Sequence, residues 1–469
     1  MVRTIAASLA ACLLSSTFAF ASDFDSAKMS SWHQWRGPLA TGVAPQANPP
    51  TKWDEQTNIK WKVEIPGRGS ASPIVWQDKI FLLTAVDAPE QEAAPDNAAA
   101  ENTDTTVADP QQSAQDERPG RGRGGRGGFG RGAAPSTPQE FVVICMNRNT
   151  GETIWQKTAA RLVPHEGHHD TNTYASASAL TDGQHVYASF GSRGLYCYDM
   201  DGNLVWERDL GDMETRLGFG EGSTPTLHGD TLVVNWDHEG QSFIVALDAR
   251  NGETRWQTQR DESTTWATPL VIERDGRTQV VTNGENRVRS YDLTSGELLW
   301  ECGGQAANPI PSPVQLDDLV ICMTGYRGYA AYAIPLDSSG DITGTDKVAW
   351  NIDDHTPYIS SPLLYEGKLY FTKGRNAIAS CVDAATGEVH YSNERLPESG
   401  TMYASPVGAA GKVYYSDREG TTTVIEHGPE FDVLSINKLD EGIDASPAIV
   451  GDTMYIRGEK HLYAIREAQ

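Results

Sequence analysis

The sequence predicts an all-β protein: a closed eight-bladed β-propeller of four-stranded antiparallel blades, its last blade completed by the N-terminal strand. Three observations predict it. A small residue, then Pro, then an apolar strand recurs along the chain with a period in the forties, the length of one propeller blade. A second phrase, Asp-x-x-x-Gly-x-x-x-Trp, recurs with small variations later in five of the units. The chain ends on an incomplete unit and opens on an unmatched Trp-bearing strand.

The opening phrase stands at Ser72-Pro73, Thr224-Pro225, Thr268-Pro269, Ser312-Pro313, Ser361-Pro362, Ser405-Pro406 and Ser446-Pro447, and without its proline at Ser178-Ala179. A turn follows in each unit, such as Asp182-Gly183, Gly229-Asp230 or Gly451-Asp452, where Gly and Asp supply the positive φ of a tight hairpin. Alternating apolar strands flank these turns. The third strand ends at Asn147, Asp199, Asp248, Asp292 or Asp383. The fourth carries Trp155, Trp206, Trp256, Trp300 or Tyr391, and Trp350 ends the fifth unit after a longer turn. Blades stack face to face, and a large ring with one polar N–H can fill the wide outer gap between them and still bond. The last unit, Asp444 to Glu467, lacks a fourth strand, whereas Ile59 to Ile65 is a strand with Trp61 and no partners before it. Docking the second beside the first removes the open edge.

The N-terminus reads as a secretory signal peptide over 1–21: Arg3, an apolar stretch from Ile5 to Phe20, and a small-x-small site at Ala19-Phe20-Ala21. Export to the periplasm or the extracellular space is expected. Leu9-Ala10-Ala11-Cys12 resembles a lipoprotein box, so membrane association is expected only if a lipid is attached at Cys12. Residues 22–58 form a lead-in, and 59–469 the propeller. The 38 Lys and Arg against 63 Asp and Glu give a formal charge of −25, which repels nucleic-acid phosphates and excludes them as expected partners. Cys145, Cys197 and Cys381 occupy equivalent strand positions and read as small buried residues. Spacing leaves open whether Cys302 and Cys322 pair.

Ala246-Leu247-Asp248 to Trp256 resembles the repeat of the pyrroloquinoline-quinone (PQQ) propeller superfamily. That group includes quinoprotein alcohol dehydrogenases and the propeller subunit of the outer-membrane barrel assembly machinery. The resemblance runs from about residue 59 to 469, and Trp32-His33-Gln34-Trp35-Arg36-Gly37-Pro38 is similar to the lead-in of exported members. It implies the fold strongly and the function weakly.

Residues 87–139 interrupt the first blade between its second and third strands. An acidic, Ala- and Pro-rich half precedes Arg-Gly repeats from Arg118 to Gly132, and neither half has the apolar content of a folded core. A solvated loop is expected there; its arginines could also hold an acidic polysaccharide or the chain's own acidic surface.

Binding residues are expected on one rim, where the turns between strands two and three meet the links between blades. Arg193, Arg287, Arg327, Arg375, Arg418 and Arg457 lie in or just after those turns, and the third blade has Trp236-Asp237-His238-Glu239 there. Such arginines could clasp carboxylates or sulfates, or pair with link acids such as Asp212, Glu214, Asp261 and Asp440. Tyr174, Phe219, Trp266, Tyr358 and Tyr403 form an aromatic set on the links, suited to a sugar or flat cofactor or to inter-blade packing. His165-Glu166-Gly167-His168-His169 matches H-E-x-x-H, but Pro164 and Gly167 oppose the helix that a zinc peptidase needs. His165, His168 and His169 remain candidate metal ligands, or loop histidines bonded to backbone.

The function that asks least of these residues is a non-catalytic binding or scaffold module for a protein, peptide or glycan at the cell envelope, acting as a monomer. The resemblance to dehydrogenases implies a PQQ-using oxidoreductase as an alternative. This sequence departs from that pattern: it has no adjacent cysteines, no Cys-x-x-Cys-His, and no calcium-binding set at matching positions. A metal-dependent hydrolase or lyase would use His165, His168, His169 and His238 at the mouth. No cofactor is assigned; PQQ or a divalent metal belongs to these two alternatives.

Overall fold

Each repeat folds into one antiparallel sheet, and eight such sheets stand in a ring in this computed structural model, which describes residues 24–88 and 135–468. The third blade shows the plan: Thr226–His228, Thr231–Trp236, Phe243–Asp248 and Thr254–Gln259 hydrogen-bond in sequence order. Its second strand is buried throughout, because neighbouring blades cover both of its faces. Its fourth strand, at the outer edge, alternates between partly covered and exposed positions. The innermost strands of several adjacent blades touch, including those of the first and last blades.

Ring closure follows the expectation. Ile59–Glu64 pairs antiparallel with His461–Ile465, placing Trp61 opposite Ala464. The eighth sheet therefore takes its outer strand from one end of the chain and three strands from the other. In the first blade Lys79–Asp87 pairs with Gln139–Asn147 out to Asp87 opposite Gln139, where the chain departs into the insertion. The expectations for the Arg-Gly repeats, the signal peptide and Cys12 lie outside the described residues.

The Trp phrase has a concrete packing role. The Trp206 indole N–H donates to Ala249 O at 2.9 Å on the next blade, and its ring lies over Gly252. Trp61, Trp155, Trp256 and Trp350 repeat this with Arg148 O, Met200 O, Leu293 O and Ala384 O. The preceding Asp closes the turn that presents the glycine: the Asp248 carboxylate accepts from Arg250 N, and its carbonyl from Gly252 N. Trp300 departs from the pattern. The longer turn of the fifth blade offers no such glycine, and its N–H turns instead to Gln279 Oε1 at 3.1 Å. That longer turn also adds Gly340–Asp341 alongside Trp300–Glu301 of the fourth blade, a fifth strand that the repeat did not predict.

The segment before Ile59 runs across inner strands of several blades. Trp32 exchanges backbone bonds with Val75, and Ala44 N donates to Gly408 O, each at 2.9 Å. The buried Arg36 guanidinium donates to Pro406 O at 2.9 Å, Pro362 O at 3.0 Å and Thr41 O at 3.2 Å. It meets no carboxylate among the described residues, and burial pulls its pKa down to about 9. All five cysteines among the described residues are free and buried, so Cys302 and Cys322 do not pair. Among the described residues no helix is long and apolar enough to cross a membrane.

Candidate axial binding site

The small residue of the opening phrase carries a hydroxyl in every blade, and that hydroxyl links neighbours. Ser72 N donates to Ser178 Oγ at 3.0 Å, Ser178 N to Thr224 Oγ1 at 3.0 Å, and Thr224 N to Thr268 Oγ1 at 3.2 Å. Thr268 N donates to Ser312 Oγ at 2.8 Å and Ser312 N to Ser361 Oγ at 3.0 Å. Ser361 N to Ser405 Oγ and Ser405 N to Ser446 Oγ follow, both at 2.9 Å. At the seam between the last and first blades, buried Arg457 donates to Leu83 O at 2.6 Å and Ala71 O at 3.4 Å. Burial lowers its pKa to about 10. The result is a collar of hydroxyls around the axis.

Above the collar lies a cavity of about 370 Å³, within the range of small-molecule sites. Six collar residues line it: Ser72, Ser178, Thr224, Thr268, Ser405 and Ser446. Its aromatic walls are Phe219, Trp266, Tyr326, Tyr358 and Tyr403, and the lead-in contributes Trp35. Tyr326 and Tyr358 stack at 4.7 Å and 24°. Trp266 is fixed by a 2.7 Å bond from its indole to Gly220 O. Four of the five link aromatics expected from sequence thus converge here. The fifth, Tyr174, sits beside a smaller recess and donates to Glu166 O at 3.0 Å. Tyr326 and Trp35 were not anticipated, since neither occupies a link position.

The six arginines do not form a ring at the mouth. Only Arg375 lines the cavity, and it has no ion pair among the described residues. Arg418 reaches Asp444 through two bonds of 2.7 and 3.1 Å and lies 4.4 Å from the centre of the Tyr403 ring. Burial pushes the Asp444 pKa up, against the pull of Arg418. Arg327 is exposed and lies over Tyr326. Arg193 is buried, meets His165 Nδ1 at 2.7 Å and lies 3.7 Å from Asp212. Arg287 points outward to Asp341 at 2.9 Å. Arg457 is spent at the seam. A long side chain takes its direction from the carbonyls and carboxylates of the adjoining blade, which turn position alone does not reveal.

The histidines also separate. His165 Nε2 meets Met213 O at 2.7 Å, His168 Nδ1 meets His169 O at 2.8 Å, and His169 Nδ1 meets Thr171 Oγ1 at 2.8 Å. No helix spans 165–169, and among the described residues no three metal-ligating side chains converge. Of the three, only His169 lines the axial cavity. Thr171 N also donates to that His169 nitrogen, which marks the contact as a local turn bond. His238 is buried, accepting from Glu214 N at 3.1 Å. In its turn Asp237 instead pairs with Arg260, both fully buried, at 2.7 Å. Glu221, also deeply placed, accepts from Ser192 N and Oγ at 2.7 and 2.5 Å, and burial raises its pKa.

These residues do not fit PQQ with calcium. PQQ carries three carboxylates, and among the described residues the cavity presents one guanidinium without a carboxylate partner. Its single carboxylate, Asp444, is already held by Arg418.

No curated protein sequence matches the chain. Among solved structures, the quinohemoprotein alcohol dehydrogenase of Comamonas testosteroni matches over 95% of this chain and 83% of its own, at 11% identity and a TM-score of 0.60. A europium-containing methanol dehydrogenase matches over 92% and 90%, at 10% identity and a TM-score of 0.59. BamB from Moraxella catarrhalis matches over 70% and 93%, at 15% identity and a TM-score of 0.49. At these identities the likeness to the dehydrogenases shows the fold alone. The profile of the PQQ-repeat family described as outer membrane protein assembly factor BamB matches residues 139–389, more than half of the sequence, and the chain belongs to that family.

Proposed function

We propose that the protein is a non-catalytic binding or scaffold propeller, exported to the cell envelope, whose axial cavity receives part of a protein, peptide or glycan. The observation that carries this reading is the cavity itself: aromatic walls, Trp35 among them, over a hydroxyl collar. Aromatic faces supply contact area at low entropic cost, and hydroxyls supply direction. The chemistry of the lining favours binding over catalysis. Its carboxylate is tied to Arg418, and the collar hydroxyls accept backbone N–H groups of the neighbouring blades. The family description, an outer membrane assembly factor, supports an envelope setting and a macromolecular partner.

The test is a thermal-shift screen of peptides and oligosaccharides against the wild type and Ile310→Trp, which fills the cavity from a lining position outside the collar. Ligands are expected to raise the melting temperature of the wild type alone. Ligands that shift both proteins equally would place the site elsewhere and overturn the reading.

A further inference from the structure

We propose that the axial cavity binds an acidic carbohydrate, with the sugar body against the hydroxyl collar and aromatic wall and its carboxylate on Arg375. This rests on the reading of the cavity as the binding site and adds the class of ligand. Three features of the lining converge on that class.

The first is the collar. Ser178, Thr224, Thr268, Ser405 and Ser446 each accept one backbone N–H, and none donates its own proton to a protein group among the described residues. Each therefore offers a donor and a remaining lone pair to the cavity. Sugar hydroxyls have the same dual character and can answer them one for one. An apolar peptide side chain in the same place would leave those groups dry and unpaired, which is costly.

The second is the wall. Trp266 has spent its N–H on Gly220 O, so what it offers the cavity is apolar ring. Phe219 and the Tyr326–Tyr358 stack extend that surface. Rings of this kind pack against the C–H faces of a pyranose while the opposite edge of the sugar stays polar.

The third is charge. The chain as a whole carries −25, yet the cavity holds one cation without an ion pair among the described residues. Its carboxylate, Asp444, is neutralised by two bonds from Arg418. A neutral sugar would leave Arg375 unused, and a ligand with several anionic groups would exceed it. One carboxylate matches the planar fork of one guanidinium.

The experiment titrates the full-length mature protein with an aldobiouronic acid, a disaccharide carrying one carboxylate, and, separately, with its methyl ester, followed by calorimetry and by tryptophan fluorescence. The acid is expected to bind, and the ester at least about tenfold more weakly. Arg375→Ala is expected to weaken the acid by about tenfold and leave the ester unchanged, with Arg375→Lys between the two. Arg375 is exposed and has no ion pair among the described residues, so its variants should melt like the wild type.

Equal binding of acid and ester overturns the acidic part of the proposal and leaves the site in place. Failure of both sugars, with a carboxyl-terminated peptide binding in a way abolished by Ile310→Trp, overturns the carbohydrate class while the cavity reading survives. Acid binding that persists in Ile310→Trp, or no binding by any probe, overturns both.

Discussion

The backbone N–H of Ser361 donates to the hydroxyl of Ser405 at 2.9 Å, joining the sixth blade to the seventh through a residue pair 44 positions apart. Both residues are buried, so removing the hydroxyl leaves a buried donor without a partner. Ser405→Ala is expected to cost about 1 to 3 kcal/mol in denaturant unfolding, and Ser405→Thr markedly less. Equal stability of Ser405→Ala and the wild type would show that the collar does not hold the blades.

Gly252 has φ +73°, and a methyl group there would stand 2.8 Å from the Trp206 ring. Two separate penalties apply, left-handed backbone and overpacking. Gly252→Ala is expected to destabilise by roughly 2 to 4 kcal/mol. Adding Trp206→Leu should relieve the clash but keep the backbone penalty, so the two losses should be less than additive. Additive losses would mean that glycine and indole do not act as a unit.

Arg260 and Asp237 form a fully buried pair that Thr282 and Tyr291 complete, with bonds of 2.8 and 2.7 Å to the guanidinium. Burial alone would lower the Arg260 pKa, and Asp237 outweighs it. Asp237→Asn strands that guanidinium and is expected to cost roughly 3 to 5 kcal/mol, whereas replacing both residues by apolar ones should cost far less. Chemical denaturation of the single and double variants checks this.

His33 lies buried beside Phe24 and Trp76, and its Nδ1 has no partner among the described residues. Burial, with nearby Lys28 second, lowers its pKa from 6.5 to about 4. The unfolded chain therefore binds this proton first as pH falls. The stability that neutral His33 contributes is intact above pH 6.5 and is lost on acidification toward pH 4. The stability of the wild type relative to His33→Gln should fall by up to about 3 kcal/mol across that window. A difference constant with pH would contradict the buried, neutral imidazole.

The blade count and ring closure were legible because they rest on local patterns that every repeat restates. The strand of Trp61 without partners and the last unit, Asp444 to Glu467, without a fourth strand could be matched by counting. The collar was half legible. The opening phrase reads as a small residue before Pro, but the use of its hydroxyl requires the neighbouring blade, 41 to 49 residues away in six links and 106 across the insertion. Ser178 keeps its link without the proline, which shows that the hydroxyl is the constant. The arginines were least legible. Arg193, Arg375 and Arg457 occupy similar turns, yet one meets a histidine, one faces the cavity and one closes the seam. Trp35 and Arg36 lie outside the repeat, where no periodicity speaks for them.

The most direct test is an experimental structure of the protein grown with the aldobiouronic acid. A sugar residue is expected above the Ser/Thr collar, against Trp266 and Tyr358, with its carboxylate on Arg375. An axial cavity holding only water while the oligosaccharide occupies the outer strands would contradict this placement.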